Sequence, residues 1–173
     1  MIKEVIFGTP FLVFAIAFSL GALCGSFANV VILRLRKGEQ GIFKGRSHCV
    51  HCGHLLSPWD LIPVFSYAFL GGKCRHCKED ISLQYPVVEI LTGLIFTLFA
   101  WRFLPSCSLA FWFLFGWALV IVSVYDLRFT EIPDKIILPL IGLTILLAIA
   151  FQFPLGISGA LKGALIPFLF FGF

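Results

Sequence analysis

Two groups of residues in this sequence could do chemistry. Cys49-Val50-His51-Cys52 and Cys74-Arg75-His76-Cys77 form two C-x2-C pairs separated by 21 residues. Paired cysteines at this spacing can give four thiolates to one tetrahedral metal ion, each pair on a tight knuckle. Zinc held by Cys49, Cys52, Cys74 and Cys77 is the expected occupant. A closed four-sulfur site should fold the loop rather than activate water. Gly53, Gly71 and Gly72 suit turns with unusual backbone angles. His48, His51, His54 and His76 crowd the site and are weighed as substitute ligands. Two disulfides or a redox pair would use the same cysteines. A reducing compartment disfavours the first, and one pair would suffice for the second. Cys24 and Cys107 lie in or beside apolar runs and read as packing residues.

The second group is acidic. Glu89, Asp126 and Asp134 lie within or next to long apolar runs, where charge is costly and often functional. Asp126 follows an apolar run at the end of a helix, where a negative charge meets an unfavourable dipole. Asp134 precedes the next run and fits a helix cap. Glu89, near the start of its helix, either serves the N-terminal dipole or is a buried polar contact.

The elements that must position these groups follow from composition. The 173 residues are 60% apolar and 13% charged, with a mean hydropathy of +1.01. A soluble domain has roughly 45–50% apolar and about 25% charged residues. That excludes a soluble enzyme, a disordered chain and a secreted disulfide scaffold, and leaves a membrane protein. Of 22 charged residues, 12 lie between Arg34 and Asp80, and this segment carries the whole net charge of +4. The fold class is therefore an all-α polytopic membrane protein of about five spans, with a polar loop domain after the first.

A span needs about 20 mainly apolar residues. The first is assigned to 1–33, with Val5 to Leu33 uncharged. It reads as a retained helix, since its apolar stretch is too long for a signal peptide and Glu4 sits near its start. The cysteine-rich loop is 34–85, and 86–173 holds spans two to five. Span two starts at Pro86 and reaches about Trp101. Span three is Ser106 to Tyr125, span four Ile136 to about Phe153, and span five Gly156 to Phe173. Basic residues in short loops set orientation. The 34–80 island, Arg128 and Lys135 belong to the cytoplasm and the N-terminus lies outside. Lys162 alone disagrees and should snorkel.

Several runs now coincide in order: Gly25-Ser26-Phe27-Ala28-Asn29-Val30-Val31-Ile32, Trp59-Asp60-Leu61-Ile62-Pro63, Gln84-Tyr85-Pro86-Val87-Val88-Glu89, and Asp126 through Pro133-Asp134. The sequence resembles the bacterial prepilin peptidases, the type IV leader peptidase family, over about Gly25 to Asp134. The resemblance implies an inner-membrane aspartic endopeptidase that cuts the leader of type IV prepilins and pseudopilins at the cytoplasmic face. Many members also methylate the new N-terminus with S-adenosylmethionine. Asp126 matches the first catalytic aspartate, and Asp134 and Glu89 are secondary candidates. The implied partners are prepilins and the lipid bilayer, not nucleic acid.

The family's second catalytic aspartate lies in a Gly-x-Gly-Asp-like motif, and no acidic residue follows Asp134 here. The expectation is a C-terminally incomplete chain, inactive alone as a peptidase. A non-catalytic membrane protein whose zinc loop binds a partner is the alternative, and a thiol oxidoreductase is a third class.

Overall fold

A computed structural model describes residues 10–37, 47–106 and 108–150. Cys107, Lys162 and the expected fifth span at 156–173 lie outside the described residues. Among the described residues five α-helices follow in order: α1 Pro10–Lys37, α2 Phe65–Phe69, α3 Gln84–Phe103, α4 Leu109–Phe129 and α5 Asp134–Ala150, with a 3-10 turn at Pro58–Leu61. Among the described residues, β-pairing is limited to two isolated bridges. Three of these described helices, α1, α3 and α4, are long and apolar enough to cross a membrane. The chain is a membrane protein. Helix α5, of 17 residues, belongs to a separate unit, Asp134–Phe173, and the rest forms the unit Met1–Pro133.

The helix ends differ from the expected ones in instructive ways. Helix α1 runs past Leu33 to Lys37, because Arg34, Leu35 and Arg36 are good helix formers whose long side chains can reach polar surroundings. Helix α3 begins at Gln84, before Pro86, and ends at Phe103, just ahead of Leu104-Pro105. A residue preceding proline is pushed out of helical geometry. Helix α4 continues beyond Tyr125 to Phe129, so Asp126 lies inside its last turn rather than after it. The stop is Thr130, in left-handed geometry at φ 52° and ψ 33°. Its N–H returns to the Asp126 carbonyl at 2.7 Å, as in a helix cap of the left-handed type.

The core of the first unit is the α1–α3 pair. Gly21 and Gly25 stand four residues apart on α1 and present bare backbone to α3. A β-carbon on Gly21 would lie 2.8 Å from Gly93 Cα, and one on Gly25 would lie 2.8 Å from Glu89 Cα. Small residues at this spacing let membrane helices approach closely where no hydrophobic effect drives them together. Ala28, Val31, Ile32, Val88, Thr92 and Phe96 fill the seam and are buried. The Thr92 hydroxyl donates to Val88 O at 2.7 Å, so the seam holds no unmet donor there. Helix α4 joins through Trp117, whose ring stacks on Phe27 at 5.9 Å and whose Nε1–H donates to Cys24 O at 2.8 Å.

Replacing Gly25 by valine should therefore separate α1 from α3. The expected cost is about 1–3 kcal/mol, typical of an overpacked interface. Thermal unfolding in detergent micelles reads it, and an unchanged midpoint would contradict the close packing.

Candidate functional site

The two cysteine pairs sit on matching knuckles. In the first, Cys49 N–H donates to His54 O and Gly53 N–H donates back to Cys49 O, both at 2.9 Å. In the second, Cys74 N–H donates to Glu79 O at 2.8 Å and Lys78 N–H to Cys74 O at 3.1 Å. A bridge closes each knuckle, His48 with Leu55 and Lys73 with Asp80. Gly53 has φ +70° and Lys78, at the equivalent place, φ +62°. Glycine takes that geometry freely, whereas lysine takes it at a steric cost.

The knuckles face each other. The sulfur atoms of Cys49, Cys52, Cys74 and Cys77 all lie within 4.8 Å of one another, and Cys49 Sγ is 3.9 Å from Cys77 Sγ. Four sulfurs at about 2.3 Å from one tetrahedral ion would be roughly 3.8 Å apart, so the donor set fits a soft divalent cation. The proton balance agrees. Backbone N–H groups of Cys77 and His76 draw the Cys74 thiol down to about 6. At Cys77 the Glu79 amide pulls the same way, but desolvation and the crowding Cys74, Cys52 and Cys49 sulfurs push that thiol up to about 12. One sulfur ionises at its neighbours' expense, and a bound cation would relieve that competition. His54 and His76 stack on each other at 4.4 Å.

Asp60 braces the second knuckle. It accepts from Arg75 Nε at 2.8 Å and, through its other oxygen, from the Ser57 hydroxyl at 2.7 Å and the Ser57 amide at 3.1 Å. Burial opposes its charge, but the Ser57 and Arg75 hydrogen bonds outweigh that and hold its carboxyl below the usual range.

The module is fastened to the membrane helices by Glu89. This residue is the sixth of α3, not part of the first turn, and only 6% exposed. Of the two roles considered for it, the helix dipole and a buried polar contact, its position matches the second. Its Oε2 accepts the Val64 backbone N–H at 2.7 Å. Val64 has φ +64°, a costly conformation for a β-branched residue that surrounding structure must enforce.

Beside this contact lies a cavity of about 580 Å³, lined among others by Ser26, Tyr67, Tyr85 and Glu89. Its volume is within the usual range for small-molecule sites.

Asp126 is exposed on the last turn of α4. Two residues on, Arg128 enters a polar chain that crosses three helices. Arg128 donates to Gln84 Oε1 at 2.6 Å, and Gln84 Nε2 donates to Asn29 Oδ1 at 3.1 Å. Asn29, fully buried, donates in turn to Gly25 O and Tyr85 O, each at 3.3 Å. Arg36 of α1 pairs with Glu131 at 2.9 Å and lies over the Phe129 ring at 4.9 Å. The strand of chain around Asp126 is thus held from both sides. Asp134 lies in the first turn of α5, where a carboxylate meets the positive end of the helix dipole.

In the sequence Asn29 and Gln84 stand only as members of the two family-like runs and Arg36 only as a basic residue of the loop, with no role attached to any of them. A buried asparagine in an otherwise apolar span was the available signal.

The bacterial peptidase A24 N-terminal domain matches residues 19–103, and the type IV leader peptidase family matches residues 113–173. The prepilin leader peptidase/N-methyltransferase of Pseudomonas aeruginosa is 35% identical over 172 residues, covering 87% of this chain and 59% of the relative. Its counterpart in Myxococcus xanthus is 42% identical over 178 residues, covering 95% and 48%. That of Dichelobacter nodosus is 34% identical over 188 residues, covering 93% and 65%. The chain thus spans about half to two thirds of these relatives' length. No solved structure matches.

Asn29→Ala should strand the Gln84 amide and take a second donor from two helix carbonyls, at a cost of roughly 1–3 kcal/mol. Gln84→Ala should cost less, since Gln84 is half-buried and water can replace it. Unfolding of both variants in detergent checks the order.

Proposed function

Because this chain belongs to the type IV leader peptidase family, we propose that it forms part of a membrane aspartic endopeptidase. In a protein of the relatives' length it would cleave the leader of type IV prepilins or pseudopilins. The observation that carries this reading is the placement of Asp126: exposed, on the last turn of a membrane-crossing helix whose end is fixed by the Arg128–Gln84–Asn29 chain and, just beyond it, the Arg36–Glu131 pair.

The chemistry needs two carboxylates. Close together they share one proton, because both cannot ionise easily. The charged member takes a proton from water, which attacks the scissile carbonyl. The protonated member hydrogen-bonds the carbonyl oxygen. Asp126 is proposed as one of the pair, and by the family resemblance the other would be the aspartate of a Gly-x-Gly-Asp-like motif. Asp134 and Glu89 remain secondary. Glu89 is already engaged with Val64, and Asp134 suits its helix start. A carboxylate at the end of a span suits a substrate whose cleavage point adjoins an apolar helix.

Zinc is the proposed ion for Cys49, Cys52, Cys74 and Cys77, in a structural role. Four thiolates leave no open position, so the metal would hold the two knuckles together. S-adenosylmethionine would supply the methyl group for the second activity in the relatives' name. The cavity beside Tyr67, Tyr85 and Glu89 is the proposed place for it, on grounds of size and mixed lining. The proposed orientation puts the cysteine module and Asp126 in the cytoplasm, at the bacterial inner membrane, with the N-terminus outside. The short basic loops support it.

In a leader-cleavage assay with the chain carried to its relatives' length, Asp126→Ala should abolish processing and keep one zinc per chain. Normal processing would refute the assignment. Mass analysis of the same digest reads methylation of the new N-terminus when S-adenosylmethionine is added. Separately, Cys49→Ser should lose its zinc, and unchanged metal content by elemental analysis would count against the four-cysteine site.

A further inference from the structure

The segment between the two knuckles has two unlike faces. On helix α2, Ser66, Tyr67 and the following Leu70 turn toward the cavity, as does Asp60 of the preceding 3-10 turn. Phe65 and Phe69, one helical turn apart, point away and are 63% and 87% exposed. Trp59 is 72% exposed, and Ile62 is also open, whereas Leu61 borders the cavity. Three large aromatic rings so close in sequence would be unfavourable in water.

The depth of this segment follows from Glu89. It is the sixth residue of α3, so it lies about 7–8 Å along the helix from Gln84 at 1.5 Å per residue. Val64 N–H is hydrogen-bonded to it, which brings the Pro63–Phe65 turn down to the same level. At that level α3 already presents Val87, Ile90 and Leu91 outward, the side chains of a surface that faces lipid. Irregular backbone is tolerated at membrane depth only when its polar groups find partners in the protein. The Val64 donor has one, and it is a carboxyl oxygen.

We propose that the Trp59–Phe69 segment lies in the membrane interface, with Trp59, Phe65 and Phe69 among the headgroups and upper acyl chains, so that the cysteine module rests on the bilayer. The occupant of this apolar face is lipid, continuous with the lipid surface of α3. Aromatic rings with a polar backing favour that zone. The module is then held to the membrane by two devices, the Glu89–Val64 hydrogen bond on the inner side and the aromatic face on the outer.

The test uses the whole chain in lipid nanodiscs, with a photoreactive benzoylphenylalanine at Phe69 or, in parallel, at Leu94 of α3 as a lipid-facing reference. The expected result is lipid adducts at both positions. Loss of the lipid adduct at Phe69 while Leu94 still labels would overturn the proposal, whether Phe69 labels protein instead or nothing. A second measurement avoids the bulky probe. The emission removed by Trp59→Phe is compared in ordinary lipid and in lipid brominated high on the acyl chain. The expected outcome is that this emission is quenched by bromine, and equal emission in the two lipids would overturn the proposal.

Discussion

A hydrogen bond between Glu89 and Val64 joins the two kinds of structure in this protein. Glu89 Oε2 accepts the N–H of Val64 at 2.7 Å, and through it a polar, cysteine-rich module is fixed to a membrane-crossing helix. The constraint is demanding at both ends. A carboxyl group is buried against α1 where apolar side chains would be cheaper. A β-branched residue is held at positive φ. Neither would persist alone, and each gives the other a reason. The buried acceptor satisfies an amide that would otherwise be lost to water, and the amide satisfies a buried oxygen.

The close α1–α3 seam makes that contact geometrically available. Gly25 lets α1 pass within contact of the Glu89 backbone. Four residues on, Asn29 starts the polar chain that reaches Arg128. The same stretch of α1 thus supports the module's attachment and the end of α4 that carries Asp126. The four-cysteine cluster is a separate solution to a separate problem. It gives two short knuckles a common centre where the module is too small to bury a core of its own.

Much of this was legible in the sequence. Length and apolar content located the helices that α1, α3 and α4 proved to be, because bilayer thickness fixes helix length. Cysteine spacing located the cluster, because a knuckle fixes the distance between paired thiolates. What stayed illegible depended on backbone partners and on contacts far apart in the chain. Nothing in the type or spacing of Glu89 says that its partner is an amide 25 residues earlier. The close approach at Gly21 and Gly25 depends on a partner surface on α3 that only the structure shows. The end of α4 was misjudged because Leu127 and Phe129 continue the helix past the first charge, and only the left-handed Thr130 stops it. Lys78 in a glycine-like geometry is the counterpart of Gly53, a symmetry that side-chain chemistry conceals.

The most direct measurement is amide hydrogen exchange at Val64 in the whole chain in nanodiscs, wild type against Glu89→Ala. If the carboxyl oxygen holds the module to the span, the Val64 amide is protected in the wild type and loses that protection in the variant, while the metal content of the two proteins is the same. Equal protection in both proteins would contradict the account.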